Sequence, residues 1–301
     1  MSKQEPVSFF EFTQKYSDED VCREHLFHLR WPSGFKCPKC GNESHYQIKR
    51  GSLYQCTACK YQASVTAGTV MDKSRIPLVK WFWAAHMVAC DKRGCSAMML
   101  KNKLGISYKS AWYLLKRLQT AMMERDWEYT LSGTVELDDA FFGSANEGGK
   151  RGRGTSKAKV VVGLSLTEKG NPKYIKMEVA DDLTADSIVT FAQRNIMSGA
   201  TISTDAYASY KQLQNNGYAH ESKVFNPKVD KDHLKWLHTI VSNAKALING
   251  TFHGLDKKHL DLYLSEFCYR FNRRFKPEEL LNRLLFSCLS GLKISYAELT
   301  L

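Results

Sequence analysis

Four cysteines in two Cys-x-x-Cys pairs limit most strongly how this 301-residue chain can fold. The pairs span residues 37–40 and 56–59, and fifteen residues separate them. Each pair places two thiolates on one side of a tight turn, and two such turns complete the tetrahedron that zinc prefers. The spacing of Cys37, Cys40, Cys56 and Cys59 therefore predicts a zinc ribbon. Because four thiolates close the coordination shell, the predicted zinc is structural.

The charge of the chain points to a polyanionic partner. Its formal net charge is +12 and its pI is about 9.2, which suits nucleic acid or an anionic membrane surface. No apolar run approaches the roughly 20 residues that span a bilayer, and the N-terminus lacks an apolar signal core. We therefore expect a cytoplasmic protein with no membrane partner and with its nine cysteines reduced.

A helix-turn-helix pattern follows the cysteines. Residues 96–104 and 108–118 have helical character, and Gly105 lies in the short turn between them. The sequence of the second helix predicts a basic outer face. The candidate DNA contacts on this face are Lys109, Lys116 and Arg117. Many helical hairpins share this pattern, but the net charge and the zinc ribbon beside it favour DNA binding.

Two strand-like runs end in aspartates. Thr134 to Gly143 contains Asp138 and Asp139, and a run from Thr201 ends at Asp205, 67 positions after Asp138. A strand that delivers a carboxylate at its end can hold a hard metal ion rigidly. These runs predict a site for a divalent metal.

The order of elements after residue 134 is β-β-β-α-β-α-β-α, which is the order of a ribonuclease H-like fold. We expect an α/β domain with a mixed five-stranded sheet and flanking helices, preceded by the zinc ribbon and the helix-turn-helix. In that fold the first and fourth strands are neighbours, so Asp138 and Asp205 would meet. The predicted domains are a helical segment at 1–30, a zinc ribbon at 31–66, a helix-turn-helix domain at 67–130, the ribonuclease H-like domain at 131–275 and a helical tail at 276–301.

A glycine-rich basic segment, residues 146–159, lies between the first two strands of that domain. It predicts a loop that is either a solvated hairpin tip or a clamp for phosphate groups. Its candidate DNA contacts are Lys150, Arg151 and Arg153.

Several strings of residues, together with the zinc ribbon and the helix-turn-helix, resemble one family. The strings are Val-Glu-Leu-Asp-Asp-Ala-Phe-Phe-Gly at 135–143, Ser-Thr-Asp-Ala-Tyr at 203–207, Gly-Thr-Phe-His at 250–253 and Glu-Phe-Cys-Tyr-Arg-Phe-Asn-Arg-Arg at 266–274. They look like the DDE-type transposases of insertion sequences with an ISXO-like catalytic domain. The resemblance runs from about Cys37 to Arg274.

The resemblance implies that Asp138 and Asp205 are catalytic ligands of Mg²⁺ or Mn²⁺, and that Asp139 is a supporting neighbour or a loop acid. The third ligand position, a glutamate in many relatives, falls on His238, 33 positions after Asp205. Asn243 is the alternative third ligand. An imidazole is a softer ligand than a carboxylate, so Mn²⁺ is expected to support activity better than Mg²⁺.

Lys245 follows His238 by seven residues, which puts both on one side of a helix. The resemblance implies that Lys245 contacts a phosphate of the transposon end.

The family also implies an activity. It is a DNA transposase that binds terminal inverted repeats, cleaves there and joins the 3′ hydroxyls to target DNA. Its partners are double-stranded DNA of the transposon ends and the target, on which it would act as a homodimer or higher oligomer, associated with the nucleoid if the source is bacterial. Two alternatives stay open: a zinc-ribbon DNA-binding regulator with a degenerate catalytic fold, and a non-mobile ribonuclease H-like nuclease.

Metal analysis tests the zinc ribbon. The full-length protein purified without oxygen is expected to hold about one zinc per chain, because four thiolates saturate one ion. Cys37→Ser is expected to lower the zinc content, whereas Cys22→Ser, outside both pairs, is expected to leave it unchanged. Wild-type protein without zinc would show that the ribbon assignment is wrong.

Overall fold

The computed structural model describes residues 8–48, 52–143, 155–224, 233–252 and 257–300. The chain divides into two compact units. The first contains Met1–Arg125 and Lys276–Leu301, and the second contains Asp126–Phe275. Within the described ranges, no helix is long and apolar enough to cross a membrane.

Ten α-helices and eight strands are numbered here in chain order. The helices are α1 (Phe9–Lys15), α2 (Glu19–Arg30), α3 (Leu78–Cys90), α4 (Ala97–Leu104), α5 (Tyr108–Trp127), α6 (Ala185–Asn195), α7 (Lys235–Thr251), α8 (Leu260–Asn272), α9 (Leu280–Ser290) and α10 (Tyr296–Thr300). The strands are β1 (His45–Ile48), β2 (Leu53–Cys56), β3 (Gln62–Ala63), β4 (Thr134–Phe142), β5 (Ala158–Leu166), β6 (Pro172–Ala180), β7 (Thr201–Asp205) and β8 (Ala219–Lys223).

The first unit combines a small antiparallel sheet, ordered β1-β2-β3, with helices. Glu19 of α2 accepts hydrogen bonds from the backbone N–H groups of Leu78 (3.0 Å) and Val79 (2.9 Å), and so caps the start of α3. Helix α9, from the C-terminal segment, packs against α2 and α3 in this unit.

Helix α5 is the most deeply buried helix segment described in the first unit. Residues 114–122 are all buried, although Lys116, Arg117, Gln119 and Thr120 are polar. A helix that is buried on every side needs partners for its polar groups. Lys116 donates to Gln119, Arg117 donates to the carbonyl oxygen of Asp72, and Thr120 donates to the carbonyl oxygen of Lys116.

The second unit contains a five-stranded sheet in the order β6-β5-β4-β7-β8. Strands β4, β5 and β6 are antiparallel neighbours, whereas β7 pairs in parallel with β4 and β8 pairs in parallel with β7. This order and these directions confirm the predicted ribonuclease H-like fold. The first and fourth strands of the sheet, β4 and β7, are neighbours as expected. The helix predicted after Asp205 is a 3-10 helix, Ala208–Asn216.

Both faces of this sheet are covered, because successive strand residues point to opposite sides. On one face, Ala140 and Phe142 of β4 join a core with apolar residues of α7 and α8. On the other face, Val135 and Leu137 join a core with α6 and the 3-10 helix. The alternation along β4 thus assigns its even-numbered residues to the α7 side.

The outer edge of β6 is bound by side chains of α8. Asn272 accepts from the N–H of Ile175 (2.7 Å) and donates to its carbonyl oxygen (3.0 Å). Asp261 accepts from the N–H of Val179 at 2.8 Å. Backbone groups that a further strand would use are therefore bonded within the chain.

A buried ion pair also links separate parts of the second unit. Arg273 donates to Asp126 Oδ1 at 2.7 Å, and both side chains are 8% exposed. The guanidinium of Arg273 lies 3.6 Å from the centroid of the Tyr269 ring. Lys176 donates to the backbone carbonyl of Asp126, and Asn272 donates to its carboxylate at 3.3 Å. Asp126 is thus the main acceptor of this cluster.

Removal of that acceptor is expected to destabilise the second unit. Asp126→Ala leaves the buried Arg273 without its counter-charge, which costs about 3–5 kcal/mol. Arg194→Ala is the control, because the Arg194–Glu178 pair is largely exposed and contributes under about 1 kcal/mol. Urea unfolding of the full-length variants measures both effects, and similar losses for the two variants would contradict the expectation.

Candidate active site

Asp138 faces α7 from strand β4. It lies two positions before Ala140, whose side chain packs in the core under α7 and α8. Residues i and i+2 of a strand share a face, so Asp138 shares that side. Its side chain is 14% exposed, which leaves the carboxylate accessible at the margin of the core.

Asp205 is the last residue of β7, the strand beside β4. Pairing of the two strands aligns Glu136 with Ser203, an offset of 67 residues. Two residues further along, the same offset puts Asp138 level with Asp205 on the same face. Asp205 Oδ1 accepts from the N–H of Tyr207 at 3.0 Å, a local turn that orients the carboxylate where the strand ends.

His238 of α7 contacts the carboxylate of Asp138. Its Nε2 lies 3.1 Å from Asp138 Oδ2, and this hydrogen bond raises the pKa of the imidazole. Half of the histidine side chain is exposed. The structure therefore brings two of the predicted ligands together, although 100 positions separate them in the sequence.

Asp205 does not join these two residues in a compact group. Across the described ranges, the four cysteines alone form a set of at least three metal-ligating side chains with all donor atoms within 4.8 Å of one another. Asp138, Asp205 and His238 therefore form no closed ligand cage. The prediction that the first strand ends at the aspartates is wrong, because β4 continues to Phe142.

Lys245 lies further along α7, with its amine 5.6 Å from the centroid of the Phe142 ring. Burial and, next, the charge of Lys157 lower the pKa of Lys245, whereas Asp138 opposes that shift. The effect of Asp138 shows that the amine lies within the electrostatic field of that carboxylate. Asn243 is exposed and, two residues before Lys245, projects from a different side of the helix.

Glu136 lies beside this site and is not among the residues predicted from the sequence. The residue is 7% exposed, and its Oε2 accepts from the backbone N–H of Leu237 at 3.1 Å. Burial raises the pKa of this carboxyl group. The available signal was its position two residues before Asp138, which puts both acids on the α7 side of the strand.

Asp139 points away from α7. Its Oδ1 accepts from the hydroxyl of Tyr210 at 3.3 Å, and Tyr210 belongs to the core on the opposite face of the sheet. The two adjacent aspartates thus face different sides, as expected for consecutive residues of an extended strand.

The four cysteines of the first unit have a geometry that suits zinc. The Sγ atoms of Cys37 and Cys59 are 3.6 Å apart, as are those of Cys40 and Cys56. Tetrahedral zinc with bonds of about 2.3 Å requires sulfur separations of about 3.8 Å. The backbone N–H of Cys59 lowers the pKa of the Cys56 thiol to about 6, which favours the thiolate that binds metal.

The predicted basic face of the helix-turn-helix is only partly present. Lys109 is exposed, with its amine 4.5 Å from the centroid of the Tyr296 ring. Lys116 is fully buried and donates to Gln119 at 3.2 Å. Arg117 is 4% exposed and donates to the carbonyl oxygen of Asp72 at 2.7 Å. The prediction that Lys116 and Arg117 contact DNA is therefore wrong, because both charges are bound in the protein interior.

Three other predicted DNA contacts, Lys150, Arg151 and Arg153, lie outside the described residues.

Comparison with solved structures gives low similarity. The catalytic core domain of BIV integrase matches with a TM-score of 0.30 and 13% identity, covering 45% of this chain and 81% of that chain. A Mos1 transposase paired-end complex with the left transposon end matches with a TM-score of 0.23 and 10% identity, covering 70% and 80%. These scores are too low to support an argument, so the fold assignment rests on the strand order.

Comparison with sequences identifies the family. A model of the ISXO2-like transposase domain matches residues 130–272, and a model of the transposase zinc-ribbon domain matches residues 17–62. An uncharacterized protein in transposable element ISH50 of Halobacterium salinarum is 25% identical over 288 residues, covering 88% of this chain and 95% of the relative. With both domain models matched along one chain, this protein belongs to the DDE-type insertion-sequence transposases that carry a zinc ribbon and an ISXO2-like transposase domain.

Proposed function

We propose that the protein is a metal-dependent DNA transposase that cleaves transposon ends and transfers the cut strands to target DNA. One observation carries the proposal: His238 Nε2 lies 3.1 Å from Asp138 Oδ2. The pairing of Glu136 with Ser203 supports an approach of Asp205 to the same site. Membership in the transposase family supports the same class of reaction.

The donor groups of this site fit a divalent cation. Asp138 and Asp205 offer carboxylate oxygens, which Mg²⁺ and Mn²⁺ prefer. His238 adds an imidazole nitrogen, which suits Mn²⁺ better than Mg²⁺. When bound, divalent cations would make the attacking oxygen more nucleophilic and stabilise charge on the phosphate being displaced.

The residues of the chain position the ligands and the DNA. The two strands hold Asp138 and Asp205 on rigid backbone, and α7 presents His238 to Asp138. Lys245, half-buried on the same helix, binds a phosphate of the DNA backbone, and that anion compensates the cost of keeping its amine charged there.

Double-stranded DNA is the proposed partner, both as transposon ends and as target. The net charge of +12 supplies a non-specific attraction to phosphates. Lys109, at the exposed start of α5, is the remaining predicted contact on the helix-turn-helix. The four cysteines hold one structural zinc. Two ends must be handled together, so a homodimer or higher oligomer on DNA is proposed.

One observation favours a second function, a DNA-binding regulator without catalysis. In the part of the chain that the structure describes, the compact metal-ligand group is the cysteine cluster, and the third position of the acidic site is a histidine. Metal-dependent cutting of a transposon end by the wild-type protein would exclude this function.

Substitution of the aspartates tests the catalytic proposal. Asp138→Asn and Asp205→Asn are each expected to abolish Mn²⁺-dependent cleavage of a labelled DNA end, because a neutral amide binds the cation weakly. Both variants are expected to keep their binding to that end in a gel-shift assay. Asp139→Asn is the matched control: it makes the same change on the opposite face of β4 and is expected to retain cleavage. Full cleavage by Asp138→Asn would refute the proposal.

A second comparison tests the third ligand. His238→Ala is expected to lower Mn²⁺-dependent cleavage by at least about 10- to 100-fold, whereas Asn243→Ala, on another side of α7, is expected to cleave like the wild type. Cleavage is also expected to be faster in Mn²⁺ than in Mg²⁺, and His238→Glu is expected to reduce that difference. Loss of cleavage in the asparagine variant alone would assign the third position to Asn243.

A further inference from the structure

The N-cap residue of α7, Leu234, provides no side-chain cap. Leu234, the residue before the helix, has φ 51° and ψ 26°, and its side chain makes no capping hydrogen bond. The left-handed conformation is unfavourable for a leucine. Burial holds it in place, because Leu234 is 3% exposed and packs in the core with Leu237.

Strand β4 supplies the missing acceptor. Oε2 of Glu136 accepts a hydrogen bond from the backbone N–H of Leu237, in the first turn of α7, at 3.1 Å. Both residues are buried, at 7% and 1% exposure. The first N–H groups of a helix lack partners inside the helix, and a carboxylate near that end is also favoured by the helix dipole.

This cap lies next to the ligand contact. Glu136 precedes Asp138 by two residues, a rise of about 7 Å along a strand. Leu237 directly precedes His238, a rise of about 1.5 Å along a helix. Glu136–Leu237 and Asp138–His238 therefore join the same strand to the same helix through two neighbouring contacts. The first contact is buried, whereas the second is partly exposed to solvent.

We infer that Glu136 is a positioning residue, which caps α7 and thereby holds His238 against Asp138 and keeps Lys245 beside β4. The inference rests on the proposed function, since positioning matters only if His238 and Lys245 take part in the reaction. Glu136 acts through the helix backbone: its described hydrogen bond goes to the N–H of Leu237. An uncapped first turn would leave a buried donor unsatisfied and let the start of α7 shift.

Hydrogen exchange of the full-length protein tests the cap without any need for activity. In Glu136→Ala the amides of the first turn of α7 are expected to exchange about tenfold faster or more, because the Leu237 N–H loses its acceptor. In Glu136→Gln the side-chain oxygen can still accept, so exchange is expected to stay close to that of the wild type. Recovery in the glutamine variant separates a lost acceptor from a general loss of packing.

Cleavage of a labelled transposon end in Mn²⁺ tests positioning. Glu136→Ala is expected to lose about 10- to 100-fold in rate, as is typical when the support of a metal ligand is removed. Glu136→Gln is expected to recover most of that rate. Glu178→Ala is the matched control, because Glu178 also ties a strand to a helix, through Arg194 (2.9 Å) and Asn195 (3.0 Å) of α6. It is expected to lower the melting temperature and leave the rate unchanged.

Each outcome decides one claim. Unchanged exchange in Glu136→Ala would overturn the cap, and faster exchange with a wild-type rate would overturn positioning. Equal damage from the alanine and glutamine variants would also overturn the inference. A wild-type protein that fails to cut in Mn²⁺ would instead refute the proposed function, while the exchange data would still decide whether Glu136 anchors α7.

Discussion

The parallel pairing of β4 with β7 is the interaction on which the candidate site depends. It pairs Glu136 with Ser203, 67 positions later. Extended by two residues, the same offset aligns Asp138, in the middle of β4, with Asp205, the last residue of β7. The buried residues Val135, Leu137 and Ile202, on the opposite face, fix this register. A slip of one residue in β7 would turn Ile202 out of this core and direct Asp205 to the opposite face of the sheet. Burial of one face of the sheet therefore determines that the carboxylates point to the opposite face.

Much of this fold could be predicted from the sequence, because its strongest determinants are local. The spacing of the cysteines specifies the two tight turns of the ribbon, and apolar runs mark the strands and helices of the second unit. That β4 and β7 are neighbours could be predicted only after the fold had been inferred. The approach of His238 to Asp138 was accessible only through the resemblance to a family, since no local pattern links residues 100 positions apart.

Burial that depends on distant groups could not be predicted from the sequence. Lys116 and Arg117 have the spacing of an exposed basic face, yet the whole middle of α5 is enclosed. Their charges are bonded to Gln119 and to the backbone of Asp72. Glu136 was missed for a related reason, because its partner lies 101 positions away. Charged residues are expected at the surface, because they are rarely buried without a partner, and such partners become visible only in the folded structure.

The side chains that bind the outer edge of β6 have a consequence for synthesis. Asp261 and Asn272 lie 82 and 97 positions after the backbone groups that they bind. A nascent chain that has already formed the β4–β5–β6 meander therefore exposes an unpaired strand until α8 leaves the ribosome. Such an edge is a template for pairing with another chain. Premature termination before residue 261 would leave that edge permanently uncovered, so truncated products of this gene carry an aggregation risk that the full-length protein avoids.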